Sequence, residues 1–168
     1  MLFRSHMATF TLTAAKGSFS KKDSIIVIGY DEKSIQARHK KLIENVFKLN
    51  LNDELSNLSP TFKTGEYFEI PISQTGYGAK NLICIYLGKD LKIAGSIIGR
   101  KLRGKKERIF LDLNLKPNQI YRFLISAGLA NFQWSMKTEN KSGKSEIAVS
   151  GIMTSEIIKV RTIIDSVN

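Results

Sequence analysis

The chain has 168 residues, 42% of them hydrophobic, and this length and composition predict one globular domain whose core needs no disulfide. Lysine and arginine outnumber aspartate and glutamate by 26 to 15, and the resulting net charge of +11 favours polyanionic partners without indicating a fold. No apolar run approaches the roughly 18 residues of a membrane span and no secretory signal is recognisable, so we expect a cytoplasmic protein without a membrane partner.

The fold prediction begins after the first six residues. Ser5-His6-Met7 is typical of a cloning scar, so we treat 1–6 as a tag remnant and 7–168 as a single α/β domain. Apolar residues alternate with threonine over 8–14, which predicts a half-exposed strand. The apolar run over 24–30 predicts a central strand.

The next stretch, 31–50, is predicted to be one helix. Asp31 and Glu32 lie near its expected start, where the helix dipole favours negative charge. Its apolar stripe consists of Ile35, Leu42, Ile43, Val46 and Phe47. Residues 51–64 have no clean period and are predicted as a loop with room for one short helical turn.

The middle of the chain alternates strands with a helix. Residues 66–72 predict an edge strand, because Pro71 lies inside the run. The uninterrupted apolar run 82–87 predicts a strand buried on both faces. A helix then carries an apolar stripe back onto the sheet, and a further strand is predicted over 108–114. The stripe is formed by Leu91, Ala94, Ile97, Ile98 and Leu102.

The last third predicts the most buried helix, over 119–134 after a start at Pro117-Asn118. A polar loop over 136–144 and a strand over 145–153 follow, and Thr154 is expected to cap a final helix. This alternation of strands and helices predicts an α/β fold with a mixed, mostly parallel sheet and helices on both faces.

Catalytic and metal-binding patterns are missing from the sequence. Cys84 lies within the buried strand and is expected to be inert. His39 has no ligand partners at fixed spacing and is expected to be a partly buried structural histidine. We therefore predict no catalytic residue, no metal ligand and no cofactor in this chain.

The densest positive charge follows the predicted helix that begins at Leu91. Gly99 and Gly104 followed by lysine nearly match a phosphate-binding loop, but Lys106 replaces the magnesium-binding Ser or Thr, and the segment leads from helix to strand. A solvated helix end whose cations offset the helix dipole is the simpler interpretation. The alternative is a salt-sensitive, sequence-independent nucleic-acid interface. The cluster consists of Arg100, Lys101, Arg103, Lys105, Lys106 and Arg108.

Several segments, in order and spacing, resemble the N-terminal domain of the leucyl (cytosol) aminopeptidase family, the M17 metallopeptidases. Residues 62–66 (FKTGE) and 79–89 (AKNLICIYLGK) are similar to that family's "F-x-G-K-x-G-E" and "V-L-L-V-G-L-G-K" segments. Residues 127–132 and 137–138 are similar to its "E-G-L-x-L-x-x-Y-x-F" helix and the "Y-K-T" that follows. The ending, 164–168, is similar to the point before its "A-R-D-L-x-N-x-P" segment. Tyr86 and Thr64 depart from the pattern, which more often has a small residue and a lysine at these positions.

The resemblance implies a three-layer, macro-domain-like α/β fold that packs against a C-terminal catalytic domain and helps to build a hexamer. In the full-length metallo-aminopeptidase, that catalytic domain, absent here, would hold the two divalent metals (Zn or Mn) and all active-site residues. Our first hypothesis is therefore the non-catalytic N-terminal domain of such an enzyme. The alternatives are a nucleic-acid-binding module that uses residues 100–108 and an ADP-ribose-type ligand domain.

Overall fold

The computed structural model describes residues 5–8, 10–74, 76–135 and 145–166. The strands are β1 (Ser5–Ala8), β2 (Phe10–Ala14), β3 (Ile25–Tyr30), β4 (Ile35–Gln36), β5 (Tyr67–Pro71), β6 (Asn81–Tyr86), β7 (Arg108–Asp112), β8 (Phe132–Ser135) and β9 (Ser145–Val149). The helices are α1 (Lys40–Phe47), α2 (Leu51–Asn57), α3 (Leu91–Lys101), α4 (Pro117–Ala130) and α5 (Thr154–Asp165). Within these residues, no helix is both long enough and apolar enough to cross a bilayer.

Seven strands form the main sheet, in the order β2-β9-β7-β3-β6-β5, with β4 paired to β3. The strands β2, β9, β7, β3 and β6 all run parallel to one another. β5 is antiparallel to β6, and β4 is antiparallel to β3. A separate antiparallel pair joins β1 to β8. This arrangement confirms the predicted mixed, mostly parallel sheet and the predicted edge strand.

Helices cover both faces of the sheet because the central strands are apolar on both faces. In β3, Ile25 and Val27 belong to the core beneath α3, α4 and α5. Ile26 and Ile28 belong to the opposite core, with α1 and α2. Every residue of β3 and all but the first of β6 are buried. The result is a three-layer α/β domain, as predicted.

The predicted helix over 31–50 is wrong in its first half. The Asp31 carboxylate accepts hydrogen bonds from the backbone N–H groups of Lys33 and Ser34 at 2.8 and 3.0 Å, which turns the chain back on itself. The chain then forms β4, so that Ile35 lies in the core as part of the sheet. The helix begins only at Lys40, and Leu42, predicted on its apolar stripe, is 39% exposed.

The loop predicted over 51–64 contains α2, which has seven residues rather than a single turn. Lys48 ends α1 in a left-handed conformation (φ 54°), and Asn50 then caps the next helix by accepting from the backbone N–H of Asp53 at 3.1 Å. Asparagine is among the residues most favoured at a helix N-cap, so Asn50 was a sequence signal for the start of α2.

The helix predicted over 119–134 ends at Ala130, and the following residues form β8, paired with β1. The backbone N–H of Asn131 bonds the carbonyls of Ala127 and Gly128, and its buried side chain donates to the Gly99 carbonyl at 2.8 Å. This buried amide holds the end of α4 against α3.

Three smaller predictions near the chain ends have different outcomes. Ser5 and His6, set aside as a tag remnant, lie in β1, and the 8–14 strand is divided between β1 and β2. The last strand ends at Val149, and Met153 rather than Thr154 occupies the cap position of α5, without a side-chain hydrogen bond. The predicted loop over 136–144 lies outside the described residues.

Two glycines on α3 allow it to approach α4 closely. A Cβ atom on Gly95 would overlap the Phe123 carbonyl, and one on Gly99 would overlap the Ala127 carbonyl. Both obstacles are backbone atoms of α4, so a side chain could be accommodated only by moving one helix.

We predict that Gly99→Ala lowers the free energy of unfolding by about 1–2 kcal/mol, since overpacking at the helix contact outweighs alanine's helix propensity advantage of about 1 kcal/mol. Urea denaturation with an unchanged m-value measures the difference. Ser96→Ala, on the same helix, is the control and should not destabilise the protein. An equal or higher stability for Gly99→Ala would contradict the close approach of the two helices.

Candidate functional site

The carboxyl ends of β3, β6 and β7 border a shallow crevice of about 300 Å³. In parallel sheets, ligands bind at such ends, where successive connections leave the sheet on opposite faces. Here the connection after β3 forms α1 and α2 on one face, and the connection after β7 forms α4 on the other. The polar residues that line the crevice are Asp31, Glu32, Gln36, Tyr86, Lys89 and Asn114.

The carboxylates of this crevice have protein partners. Asp31 holds the turn before β4 and also accepts from Gln36 Nε2 at 3.0 Å. Glu32 accepts the phenol hydrogen of Tyr86, and this hydrogen bond lowers the pKa of Glu32 and raises that of Tyr86. Asp31 and Glu32 are thus both engaged in hydrogen bonds within the protein.

Asp112, at the end of β7, is the buried anchor beneath this edge. Its side chain is fully buried and accepts from the backbone N–H groups of Arg38 and His39, each at 2.9 Å. The Asp112 Oδ2 atom also lies 3.0 Å from His39 Nδ1, and the Arg38 guanidinium bonds the Leu115 carbonyl. His39 is half-buried, as predicted, but the sequence analysis missed its partner, although the aspartate inside the otherwise apolar run 109–113 was a visible signal.

Glu66 fixes the loop that precedes β5. Its carboxylate accepts from the backbone N–H groups of Thr61 and Phe62, from Thr61 Oγ1, and from the Tyr30 hydroxyl at 2.7 Å. Ser59 and Phe62 have φ angles of 52° and 57°, which are unfavourable for residues with side chains. The carboxylate thus holds a strained loop beside the crevice.

The basic cluster predicted from the sequence is divided by the fold. Lys101 points to the sheet edge, where it pairs with Glu69 and lies over the Tyr67 ring, and Arg108 pairs with Glu146 at 2.8 Å. The Arg103 guanidinium bonds the Ala130 carbonyl at the end of α4. The side chains of Arg100 and Lys106 are exposed, and that of Lys105 is half-buried. Nucleic-acid binding by this cluster stays a prediction.

Two further expectations concern reactive and metal-binding groups. Cys84 is buried, and burial raises the pKa of its thiol to about 12, which keeps it protonated and unreactive. Among the residues that the structure describes, no three His, Cys, Asp or Glu side chains come together in a way that could hold a metal ion.

Comparison with known proteins finds a similar fold among solved structures but no match by sequence. No family model and no curated protein sequence matches the chain. A solved structure of a mutant tomato leucine aminopeptidase has a similar fold, with a TM-score of 0.68 and 11% sequence identity. The superposition covers 96% of this chain and 37% of that one, so the chain spans little more than a third of its neighbour's length. The chain therefore has a leucine-aminopeptidase-like α/β fold.

We predict that Asp112→Ala lowers the free energy of unfolding by about 2 kcal/mol, because it leaves the partly buried N–H groups of Arg38 and His39 without their acceptor. Asp112→Asn, which retains one acceptor oxygen, should have an intermediate effect. Asp90→Asn is the matched control, since Asp90 is an exposed cap of α3 where asparagine serves equally well. Equal urea midpoints for all three variants would contradict the anchoring role.

The Glu66 loop should make stability depend on acid pH. Burial raises the pKa of the Glu66 carboxyl, but the hydrogen bonds from Thr61, Tyr30 and Phe62 outweigh it, and the net pKa is lowered. A carboxyl with a lowered folded pKa stabilises the fold above its unfolded pKa of about 4.3, and the contribution disappears as the pH falls through the folded value. The stability difference between wild type and Glu66→Gln, from urea titrations, should be full at pH 7 and shrink in acid. A stability difference that does not change with pH would show that the charge of the Glu66 carboxylate does not stabilise the fold.

Proposed function

We propose that this chain is a non-catalytic domain of a leucine-aminopeptidase-like metallopeptidase. The observation that carries the proposal is the fold likeness, which takes in 96% of this chain but only 37% of the tomato leucine aminopeptidase chain. In this proposal, peptide hydrolysis belongs to the part of the enzyme that has no counterpart here. The chain itself contributes packing against the catalytic part and assembly of the hexamer.

Two features of the described residues support a role without chemistry. First, the carboxylates at the carboxyl edge of the sheet are occupied by internal hydrogen bonds, as Asp112, Glu66 and Glu32 illustrate. Secondly, the buried Cys84 thiol lies within β6, inside the core. In this proposal the catalytic part would hold two divalent metals, Zn or Mn. This chain supplies the surface against which the catalytic part packs.

The ADP-ribose alternative has less support from the crevice. The crevice is lined by the carboxylates of Asp31 and Glu32, and Lys89 is the one cation among its lining residues. Two carboxylates next to one ammonium group do not favour a diphosphate. Binding of such a ligand stays a prediction from fold analogy alone.

The experiment is a peptidase assay on the purified chain with leucine 4-nitroanilide, in the presence of Mn²⁺ or Zn²⁺. We expect no release of nitroaniline above that of a matched preparation from cells with an empty expression vector. Turnover that scales with the concentration of this chain and stops on chelation would contradict the proposal, because the domain would then carry its own active site.

A further inference from the structure

The outer edge of β5 has no partner strand among the residues that the structure describes. β5 is the last strand on its side of the main sheet and pairs only with β6. A hydrogen bond of 2.9 Å from the Ile72 N–H and one of 2.7 Å to the Glu66 carbonyl join these two residues to the β6 side. Because bonded and non-bonded pairs alternate in an antiparallel ladder, the even-numbered residues of β5 also face β6. The N–H and C=O groups of Tyr67 and Glu69 therefore point away from the sheet.

Pro71 limits how this edge can pair. It is the next residue whose backbone faces outward, and it has a carbonyl but no N–H. The edge thus offers the N–H groups of Tyr67 and Glu69 as donors and the carbonyls of Tyr67, Glu69 and Pro71 as acceptors. Proline on an edge strand prevents open-ended pairing between sheets. What remains suits a short added strand of a few residues.

Helix α3 lies alongside this edge and provides a surface for the side chains of an added strand. Ile93, Ile97 and Lys101 follow one another at four-residue steps and so share one face of the helix. The Lys101 ammonium lies 5.6 Å from the centre of the Tyr67 ring, and a Cβ atom on Gly65 would overlap the Ile97 side chain. Ile93 is 45% exposed and Tyr67 is 38% exposed. Apolar groups therefore lie beside the free backbone groups.

The charges beside the edge indicate which kind of segment would bind. Lys63 precedes β5, Arg100 lies on α3 one turn after Ile97, and both are exposed. Neither forms an ion pair within the described part of the chain. The carboxylates nearby are occupied, since Glu69 pairs with Lys101 and Glu66 accepts hydrogen bonds inside its own loop.

This charge pattern favours an acidic segment of another protein over a second copy of this chain. A second copy would bring the same cations to the contact, together with a net charge of +11, and like charges oppose association. Carboxylates on a partner segment would complement Lys63 and Arg100.

We propose that the outer edge of β5 binds an extended segment of another protein, containing both acidic and apolar residues, as an added strand. Main-chain hydrogen bonds to Tyr67, Glu69 and Pro71 hold the segment in an extended conformation, and its side chains supply the selectivity. Its apolar side chains contact the exposed apolar groups of α3 and β5, and its carboxylates meet Lys63 and Arg100. This binding does not depend on the proposed aminopeptidase role.

The test measures fluorescence anisotropy of a short labelled peptide in which glutamate and valine alternate. One comparison peptide has lysine in place of glutamate. Another is the glutamate peptide with every backbone nitrogen methylated, which keeps its side chains but cannot pair as a strand. We expect wild type to bind the unmodified glutamate peptide in preference to both comparison peptides.

Two pairs of variants separate the backbone contribution from the charge contribution. Glu69→Pro removes an outward N–H without removing a bond to β6 and should weaken binding about tenfold, whereas Glu69→Ala retains that N–H and should bind at least as tightly as wild type. Lys63→Gln with Arg100→Gln should weaken binding about fivefold. Its matched control, Lys41→Gln with Lys159→Gln on the exposed faces of α1 and α5, should bind as wild type does.

Hydrogen exchange of the wild-type chain avoids reliance on the variants. The amides of Tyr67 and Glu69 should exchange fast in the free protein and become protected when the glutamate peptide is added. The amides of Phe68 and Ile70, which face β6, should be protected in both states.

Several outcomes would overturn the proposal. These are no binding of the glutamate peptide by wild type, equal binding of the methylated or the lysine peptide, or an equal loss of affinity in both double-glutamine variants. Protection of the Tyr67 and Glu69 amides on raising the protein concentration without peptide would also overturn it, because a second copy would then occupy the edge.

Discussion

Burial of both faces of the central strands is the constraint on which the rest of the structure depends. β3 alone places four large aliphatic side chains in two separate cores, and each such side chain contributes about 1.5–3 kcal/mol when fully buried. Neither face of these strands can meet water, so helices must cover both. With the faces covered, the two ends of the parallel strands are left open to solvent and carry polar side chains.

The two ends of the sheet differ in how their charges are treated. At the carboxyl edge, carboxylates are used internally: Asp112 anchors the junction between β4 and α1, and Glu66 holds the strained loop before β5. At the amino edge, basic side chains project into solvent with few internal partners. The carboxyl edge thus serves the fold, whereas the amino edge leaves basic side chains exposed to solvent.

The central part of the fold could be predicted from sequence because its signals are local. The apolar runs that became β3 and β6, and the stripe of α3, indicate their own burial. The errors arose where one polar side chain determines the backbone. Asp31 creates a turn that divides the predicted helix over 31–50, and Asn131 ends α4 before the aromatic residues that form β8. The spacing of apolar residues along the sequence does not reveal such hydrogen bonds.

The candidate sites depended on long-range register, which a single sequence does not contain. Asp112 and His39 are far apart in the chain, and nothing local links them. Likewise, the six-residue basic cluster was visible, but the fold turns Lys101 and Arg108 toward acidic partners and brings Lys21 and Lys80 to the same edge. The pairing order of the strands, rather than charge density along the chain, determines which cations lie at the same edge of the sheet.

The proposed role as part of a larger enzyme is tested most directly by the mass of the native polypeptide in its source cells. An antibody raised against this domain, used for immunoprecipitation followed by intact-mass analysis, gives that value. A polypeptide more than twice the 18.9 kDa of this chain, as the partial coverage of leucine aminopeptidase leads us to expect, would support the role. A native product of 18.9 kDa would contradict it, and the function would then have to lie in binding by this domain alone.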